Sequence, residues 1–210
     1  SYGKIYVTNT GSRTDVFDAE TYEFITCIGT GTWGDGGYQT VHAFDVTASQ
    51  GAVFIRDKRK LVVVLEQDVQ PGSAARVPIY SRSVNLQEAM GTYAVAARND
   101  GFLYVTGQNK NMIYLFDPAD IRAGDTGFAP YLVTLGFEKS PQAIAFVGDR
   151  LFVTLRVDDK RSELWEISPK NGKLLQDFTD SMVYPEKIAG ARHTLLVVDR
   201  ATQTVKAIGL

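Results

Sequence analysis

Acid–base and nucleophilic chemistry needs histidine, serine, cysteine and carboxylate side chains in particular arrangements, and this chain holds few such arrangements. His42 and His193 are the only histidines. The G-x-S-x-G turn that presents a nucleophilic serine is absent, and the two histidines lack the helical spacing of a metal-binding pair. Because Cys27 is the only cysteine, an internal disulfide and a cysteine-based metal cluster are excluded. The sequence therefore predicts no metal and no cofactor.

A glycine-rich stretch, GTGTWGDGG at residues 29–37, has a superficial likeness to a phosphate-binding loop. It lacks the Lys-Ser/Thr pair of a P-loop, and no helical pattern follows it. We interpret the stretch as a flexible connection between β-strands. Trp33 lies in it and Tyr38 directly follows it, so the two rings could offer a flat surface to a sugar or an apolar group.

An internal repeat sets the positions of the remaining candidate residues. The strand KIYVTN at residues 4–9 has counterparts in AVFIRD (52–57), FLYVTG (102–107), RLFVTL (150–155) and TLLVVD (194–199). These strands recur roughly every 45 to 50 residues. Each unit contains four short segments rich in β-branched and aromatic residues, separated by Gly, Asn, Asp or Pro, which is the pattern of four β-strands. We name them a, b, c and d, and the strands quoted above are strands b.

Four short antiparallel strands repeated at this period are typical of β-propeller blades. The sequence therefore predicts an all-β fold of four-stranded blades, with about four and a half repeats in one domain over residues 1–210. The chain begins at strand b of the first unit and reaches strand c of the fifth. Both a closed five-bladed ring and part of a larger ring fit this order, and we favour the larger ring. An incomplete ring exposes an apolar blade face, so we expect self-association in that case. The units are 1–29, 41–82, 92–136, 142–179 and 186–210.

The candidate binding residues lie on one predicted face, which carries the b–c turns and the d–a connections. Every b–c turn contains at least one lysine or arginine, with acidic residues between them. Several cations around one opening can hold a carboxylate or a phosphate, and arginine does so through two parallel hydrogen bonds. The candidate ligand-binding residues are Arg13, Trp33, Tyr38, His42, Arg56, Lys58, Arg156 and Arg200.

The segment KIYVTNTGSRTDVFDAETYEFITCIGTG resembles the repeat of the YVTN family of β-propellers, which has Tyr-Val-Thr-Asn in strand b followed by a Val-Asp-x-x-Thr strand and turn. Residues 6–9 match that motif, and YVTG (104–107) and FVTL (152–155) are degraded copies. The second unit is similar to an NHL-type repeat. The resemblance implies a bacterial propeller that is periplasmic, at the cell surface or secreted. It implies no catalytic motif, since these families share none.

Charge and composition narrow the classes of partner. A formal net charge of −2 gives no general attraction for nucleic acid, no apolar run reaches the length of a membrane span, and the 210 residues contain no signal peptide. We expect a non-catalytic binding or scaffold propeller whose partner is a protein, a small anionic molecule or a glycan. The alternative is a lyase or hydrolase that uses His42 with carboxylates gathered at the mouth of the propeller axis.

Overall fold

The structure is a computed structural model, and it describes residues 3–9, 13–29, 43–57, 60–69, 80–85, 94–107, 111–117 and 131–210. The chain separates into two compact units. Unit 1 comprises Ser1–Gln87 and Asp117–Pro130, and unit 2 comprises Glu88–Phe116 and Tyr131–Leu210. Both units are built from antiparallel β-sheets.

Unit 1 contains two sheets among its described residues. The first has three strands in the order β1-β2-β3: Lys4–Asn9, Arg13–Asp18 and Phe24–Ile28. The second has four strands in the order β4-β5-β6-β7: Ala43–Ser49, Ala52–Asp57, Lys60–Leu65 and Tyr80–Asn85. A short 3-10 turn, Glu66–Asp68, follows β6.

Unit 2 contains three sheets among its described residues. The first has the order β11-β10-β9-β8, with β8 to β11 at Val95–Ala97, Leu103–Gly107, Met112–Phe116 and Tyr131–Gly136. The second, in the order β12-β13-β14-β15, has strands Ser140–Val147, Arg150–Arg156, Ser162–Ile167 and Leu174–Asp177. The third, in the order β16-β17-β18, has strands Pro185–Ala191, Thr194–Asp199 and Thr204–Gly209. A 3-10 turn, Thr179–Ser181, precedes β16.

The predicted all-β fold is confirmed by this strand order. The described sheets have three, four, four, four and three strands, which corresponds to b-c-d, three complete units and a-b-c. A helical turn is conceivable from the sequence at residues 83–91, but residues 83–85 end strand β7 and the rest lie outside the described residues. Within the described part of the chain, no helix is long and apolar enough to cross a membrane.

Phe152 lies between two sheets of unit 2. Its side chain is fully buried, and its ring meets that of Phe178 edge-on with centroids 5.8 Å apart. The same cluster contains Leu195 and Val197 from strand β17 of the neighbouring sheet. Large apolar side chains on strand b therefore fill the space between successive sheets, where each removes a large area from water.

Small residues let β8, β12 and β16, which are the strands a of unit 2, approach one another closely. Strand β12 packs against both β8 and β16. At Gly190 of β16, a Cβ atom would lie only 1.8 Å from the carbonyl oxygen of Phe146 on β12. Glycine at this position is therefore required by a close backbone approach.

A β-bulge recurs near the start of strand a. The register between strands a and b shifts at Phe44, Gln142 and Glu186, which occupy the same repeat position in β4, β12 and β16. Next to the bulge at Gln142, the Ala143 N–H donates to the Thr154 hydroxyl at 3.0 Å instead of continuing the regular ladder. The threonine of the recurring Tyr-Val-Thr pattern in strand b thus has a structural role, because its hydroxyl accepts a backbone N–H beside the bulge.

Candidate functional site

A cavity of about 460 Å³ opens at the end of unit 2 that carries the turn after β13, the segment before β16 and the turn after β17. These are the b–c turns and the d–a connection of two adjacent sheets, so the cavity lies on the face that the sequence predicts for ligand binding. Its volume suits a small molecule or a few side chains of a partner. The lining residues are Gln142, Arg156, Asp159, Tyr184, Glu186, Lys187 and Arg200.

Two predicted site residues, Arg156 and Arg200, meet in this cavity. Arg156 ends strand β13 and Arg200 follows strand β17, so both occupy the same position of the repeat in neighbouring sheets. Adjacent sheets place equivalent residues side by side. The repeat therefore explains why two cations far apart in the sequence share one opening.

The β-bulges of the strands a bring Gln142 and Glu186 to the cavity. Alternation in a regular strand would send Glu186 and Lys187 to opposite faces of the sheet. At the bulge two residues oppose one residue of the neighbouring strand, and both Glu186 and Lys187 line the cavity. This local irregularity adds one acid and one cation to the site.

Asp199 fixes the segment that carries Tyr184. The Asp199 side chain is fully buried and accepts the backbone N–H groups of Val183, Tyr184 and Ala201 at 3.0, 3.0 and 3.2 Å. The Arg200 N–H in turn donates to the Tyr184 carbonyl at 2.9 Å. Burial raises the pKa of Asp199, but the backbone hydrogen bonds outweigh burial and hold the pKa below its ordinary value. The carboxylate is therefore ionised at neutral pH and joins the d–a connection to the b–c turn.

Each arginine of the cavity has an acidic neighbour. Arg156 pairs with Asp159, and Arg200 pairs with Glu186 at 3.3 Å. The Arg200 guanidinium also lies over the Tyr184 ring, 5.7 Å from its centroid, which is within the range of a cation–π contact. Among the described residues, Lys187 has no carboxylate within ion-pairing distance. The three cations and two acids of the lining leave one excess positive charge.

The other predicted site residues do not join this cavity within the described chain. Arg13 is in unit 1, at the start of β2, and pairs with Asp15 at 2.8 Å. Arg56 is fully buried in β5, so the expectation that its charge is accessible to solvent is wrong. Strand b lies inside its sheet and Ala52 to Arg56 are all buried, which explains the difference. The remaining four, Trp33, Tyr38, His42 and Lys58, lie outside the described residues.

His193, the second histidine, is exposed in the turn between β16 and β17. That a–b turn is at the opposite end of its sheet from the Arg200 turn. No group of three or more His, Cys, Asp or Glu residues with a geometry for a metal ion occurs among the described residues.

Comparisons with known proteins give the fold. The chain is similar to the WD40 β-propeller domain of Doa1 (12% identity, TM-score 0.64, covering 99% of this chain and 60% of that one). It is also similar to the Pan2 WD40 domain of Neurospora crassa (9% identity, TM-score 0.60, covering 100% and 63%). The β-propeller domain of Cps50 (Swd1) from Myceliophteria thermophila matches at 10% identity and a TM-score of 0.56, covering 100% and 67%.

These similarities, together with the observed sheets, show that the chain has a β-propeller fold. The chain spans about three fifths of the length of the solved structures that it matches. No protein-family model matches it, and no curated protein sequence matches it significantly.

Proposed function

We propose that this chain is a non-catalytic, protein-binding propeller that engages an acidic segment of its partner in the cavity of unit 2. The convergence of Arg156 and Arg200 from equivalent repeat positions carries the proposal. Lys187 adds a third cation, and the lining keeps an excess positive charge although the whole chain has a net charge of −2. A local positive opening on an acidic protein favours a specific anionic group over general electrostatic attraction.

The chemistry of the lining supports a carboxylate ligand. Arginine presents a planar fork that matches a carboxylate with two parallel hydrogen bonds, and both cavity arginines are partly exposed, with 40% and 64% of the side chain accessible. Tyr184 adds an apolar ring that is largely buried and held in place through Asp199. Propellers of the WD40 type among the solved structures are consistent with a scaffold of this kind. The YVTN-like repeat further supports an exported bacterial protein.

A direct test measures the binding of a fluorescein-labelled Gly/Ser peptide with two adjacent glutamates by fluorescence anisotropy. We expect the double variant Arg156→Ala/Arg200→Ala to bind this peptide about tenfold more weakly than the natural chain, and the natural chain to bind more weakly as salt concentration rises. Both arginines are partly exposed, so the double variant is expected to fold.

The matched control removes two cations from the other end of the same sheets. Lys170 and Arg192 are exposed in the c–d and a–b turns. Lys170→Ala/Arg192→Ala changes the net charge by the same amount, and we expect it to keep peptide affinity within about twofold because those charges are distant and screened. Equal affinities for the two double variants would show that the cavity is not the binding site.

A further inference from the structure

We propose that two copies of this chain associate head to tail, with the sheet β1–β3 of one copy seated on the sheet β16–β18 of the other. The inference goes beyond the proposed function, because it concerns the faces of these two sheets and not the cavity at the end of unit 2. It starts from the repeat positions through which successive sheets already pack inside each unit.

Successive sheets pack through two kinds of position on strand b. Phe152 of β13 occupies the first kind, and it shares a buried cluster with Leu195 and Val197 of β17 in the following sheet. Because side chains alternate along a strand, the two kinds of position lie on opposite faces of a sheet. We name the face with the Phe152 position the leading face and the face with the Leu195 and Val197 positions the trailing face.

The same packing occurs in two further pairs of sheets. In each pair, the residue equivalent to Phe152 belongs to or packs against one cluster with the residues equivalent to Leu195 and Val197 in the following sheet. These residues are Tyr104 with Leu151 and Val153 in unit 2, and Tyr6 with Val53 and Ile55 in unit 1. The leading face of one sheet therefore packs on the trailing face of the next.

The two sheets of the proposed contact each expose one of these faces. On β17, Leu196 and Val198 occupy leading positions and are exposed. On β1, Ile5 and Val7 occupy trailing positions and are 37% and 45% exposed. An apolar leading face and an apolar trailing face are thus both accessible to a second copy.

Strand c extends the leading face of the sheet β16–β18. Val205 of β18 lies opposite Val198 and is exposed. At the equivalent positions of the preceding sheet, Leu164 of β14 lies opposite Thr154. Leu164 is fully buried in the cluster that contains Phe152, so the position of Val205 is one that packs against a following sheet.

Strand c also extends the trailing face of the sheet β1–β3. Phe17 of β2 lies opposite Ile5, and its ring meets that of the exposed Phe24 edge-on with centroids 5.8 Å apart. The equivalent of Phe17 in the sheet β16–β18 is Ile208, which lies opposite Leu195. Ile208 packs against the cluster that joins β13 and β17, so the position of Phe17 is one that packs against a preceding sheet.

A second copy of the chain is the occupant that fits these positions. Its trailing face supplies the same repeat positions that pack on leading faces inside each unit, and both faces are apolar. Contact between a leading and a trailing face uses two different surfaces of the chain. Such a heterologous contact leaves one face of each kind open in a pair, so association continues to larger species unless a ring closes.

The test mixes two variants that each lose one face. Ile5→Glu/Val7→Lys blocks the trailing face of β1–β3, and Val198→Glu/Val205→Lys blocks the leading face of β16–β18. We expect each variant alone to sediment as a monomer at concentrations where the natural chain associates. An equimolar mixture should form a one-to-one heterodimer, with a dissociation constant within about threefold of that of the natural chain, because one leading and one trailing face remain intact.

The matched control places the same side chains outside both faces. Leu174→Glu/Leu175→Lys changes exposed positions of β15, and we expect it to associate as the natural chain does. The blocking variants are expected to fold. In Val7→Lys, for example, the new lysine lies opposite Asp15, where opposite charges support strand pairing. Thermal denaturation followed by circular dichroism checks each variant.

A second pair of variants decides the question if a charged variant does not fold. Ile5→Thr/Val7→Thr and Val198→Thr/Val205→Thr keep β-branched side chains in the strands, and we expect them to give the same pattern alone and in the mixture. Association of either blocked variant with itself would show that like faces pair. Such self-association, a mixture of folded variants that stays monomeric, or a natural chain that stays monomeric would each overturn this inference.

Discussion

The buried carboxylate of Asp199 accepts the backbone N–H of Tyr184 at 3.0 Å and so connects the segment before β16 to the turn after β17. The same carboxylate accepts two further backbone N–H groups. We expect Asp199→Ala to lower the free energy of unfolding by about 3 kcal/mol, because buried donors lose a charged acceptor. Urea denaturation followed by circular dichroism measures this change. Asp199→Asn retains one acceptor oxygen and should cost less; an Ala variant as stable as the natural chain would contradict this role.

Acid should destabilise the fold in part by protonating Asp199. The hydrogen bond from Arg98 lowers the pKa of Asp100, and backbone N–H groups hold that of Asp199 below its ordinary value in spite of burial. A pKa lower in the folded than in the unfolded state contributes stability that is fully present above about pH 4 and is lost as the pH falls through the folded value. When denaturation is measured at successively lower pH from pH 6, we therefore expect the midpoint to decrease once the pH is below about 4. We expect Asp199→Asn to make this decrease smaller. A pH profile identical to that of the natural chain would contradict the role of Asp199 in acid destabilisation.

Gly190 should be intolerant of any side chain. A Cβ atom there would overlap the Phe146 carbonyl at 1.8 Å, and backbone atoms cannot yield as a flexible side chain does. We expect Gly190→Ala to cost at least about 2 kcal/mol, at the upper end of the range for overpacking. Gly209→Ala in the same sheet is the control, because its Cβ would meet nothing within 4 Å. Thermal denaturation of both variants gives the comparison, and equal midpoints would contradict the close approach of β16 to β12.

The packing of Phe152 between sheets predicts a large cost for its truncation. We expect Phe152→Ala to lower the free energy of unfolding by about 3–5 kcal/mol through lost burial and the cavity that remains. Leu175→Ala in the same sheet removes a side chain that is 61% exposed and should change stability by less than about 0.5 kcal/mol. A cost below about 1 kcal/mol at Phe152 would show that strand b does not face the neighbouring sheet.

The sequence predicts the strand order well because the repeat shows the same pattern of β-branched residues and turns several times. The repeat also explains why Arg156 and Arg200 line one cavity, since equivalent positions of adjacent sheets lie next to each other. The remaining cavity residues have no such signal. Glu186 and Gln142 line the cavity through a β-bulge, and a bulge shifts the register by one residue without any mark in the apolar pattern.

Arg56 is a residue whose exposure to solvent the sequence predicts wrongly. Its position just before a polar turn predicts an accessible cation, yet it lies in a strand whose two faces both pack inside the unit. Burial of an arginine depends on neighbouring sheets, which the local sequence does not contain. Tyr184 is held through Asp199, a contact between two segments that no linear motif records.

Self-association is expected from the sheet formed by β16, β17 and β18. Its β17 alternates buried and exposed residues, and the exposed side carries Leu196 and Val198, which are 38% and 40% accessible. Val205 on β18 lies opposite Val198 and is 67% accessible, so an apolar surface faces solvent. Contiguous exposed apolar residues on a sheet favour association of two copies. We expect the natural chain to sediment as a concentration-dependent mixture of monomer and larger species.

The variant Val198→Glu/Val205→Lys tests this expectation without changing the net charge. The two new side chains face each other across β17 and β18, where opposite charges support strand pairing, so the sheet should stay folded. We expect the variant to sediment as a monomer at concentrations where the natural chain associates. Leu174→Glu/Leu175→Lys places the same side chains on exposed positions of β15 and should leave association unchanged. A natural chain that remains monomeric throughout the concentration series, or a control as effective as the variant, would contradict association through this face.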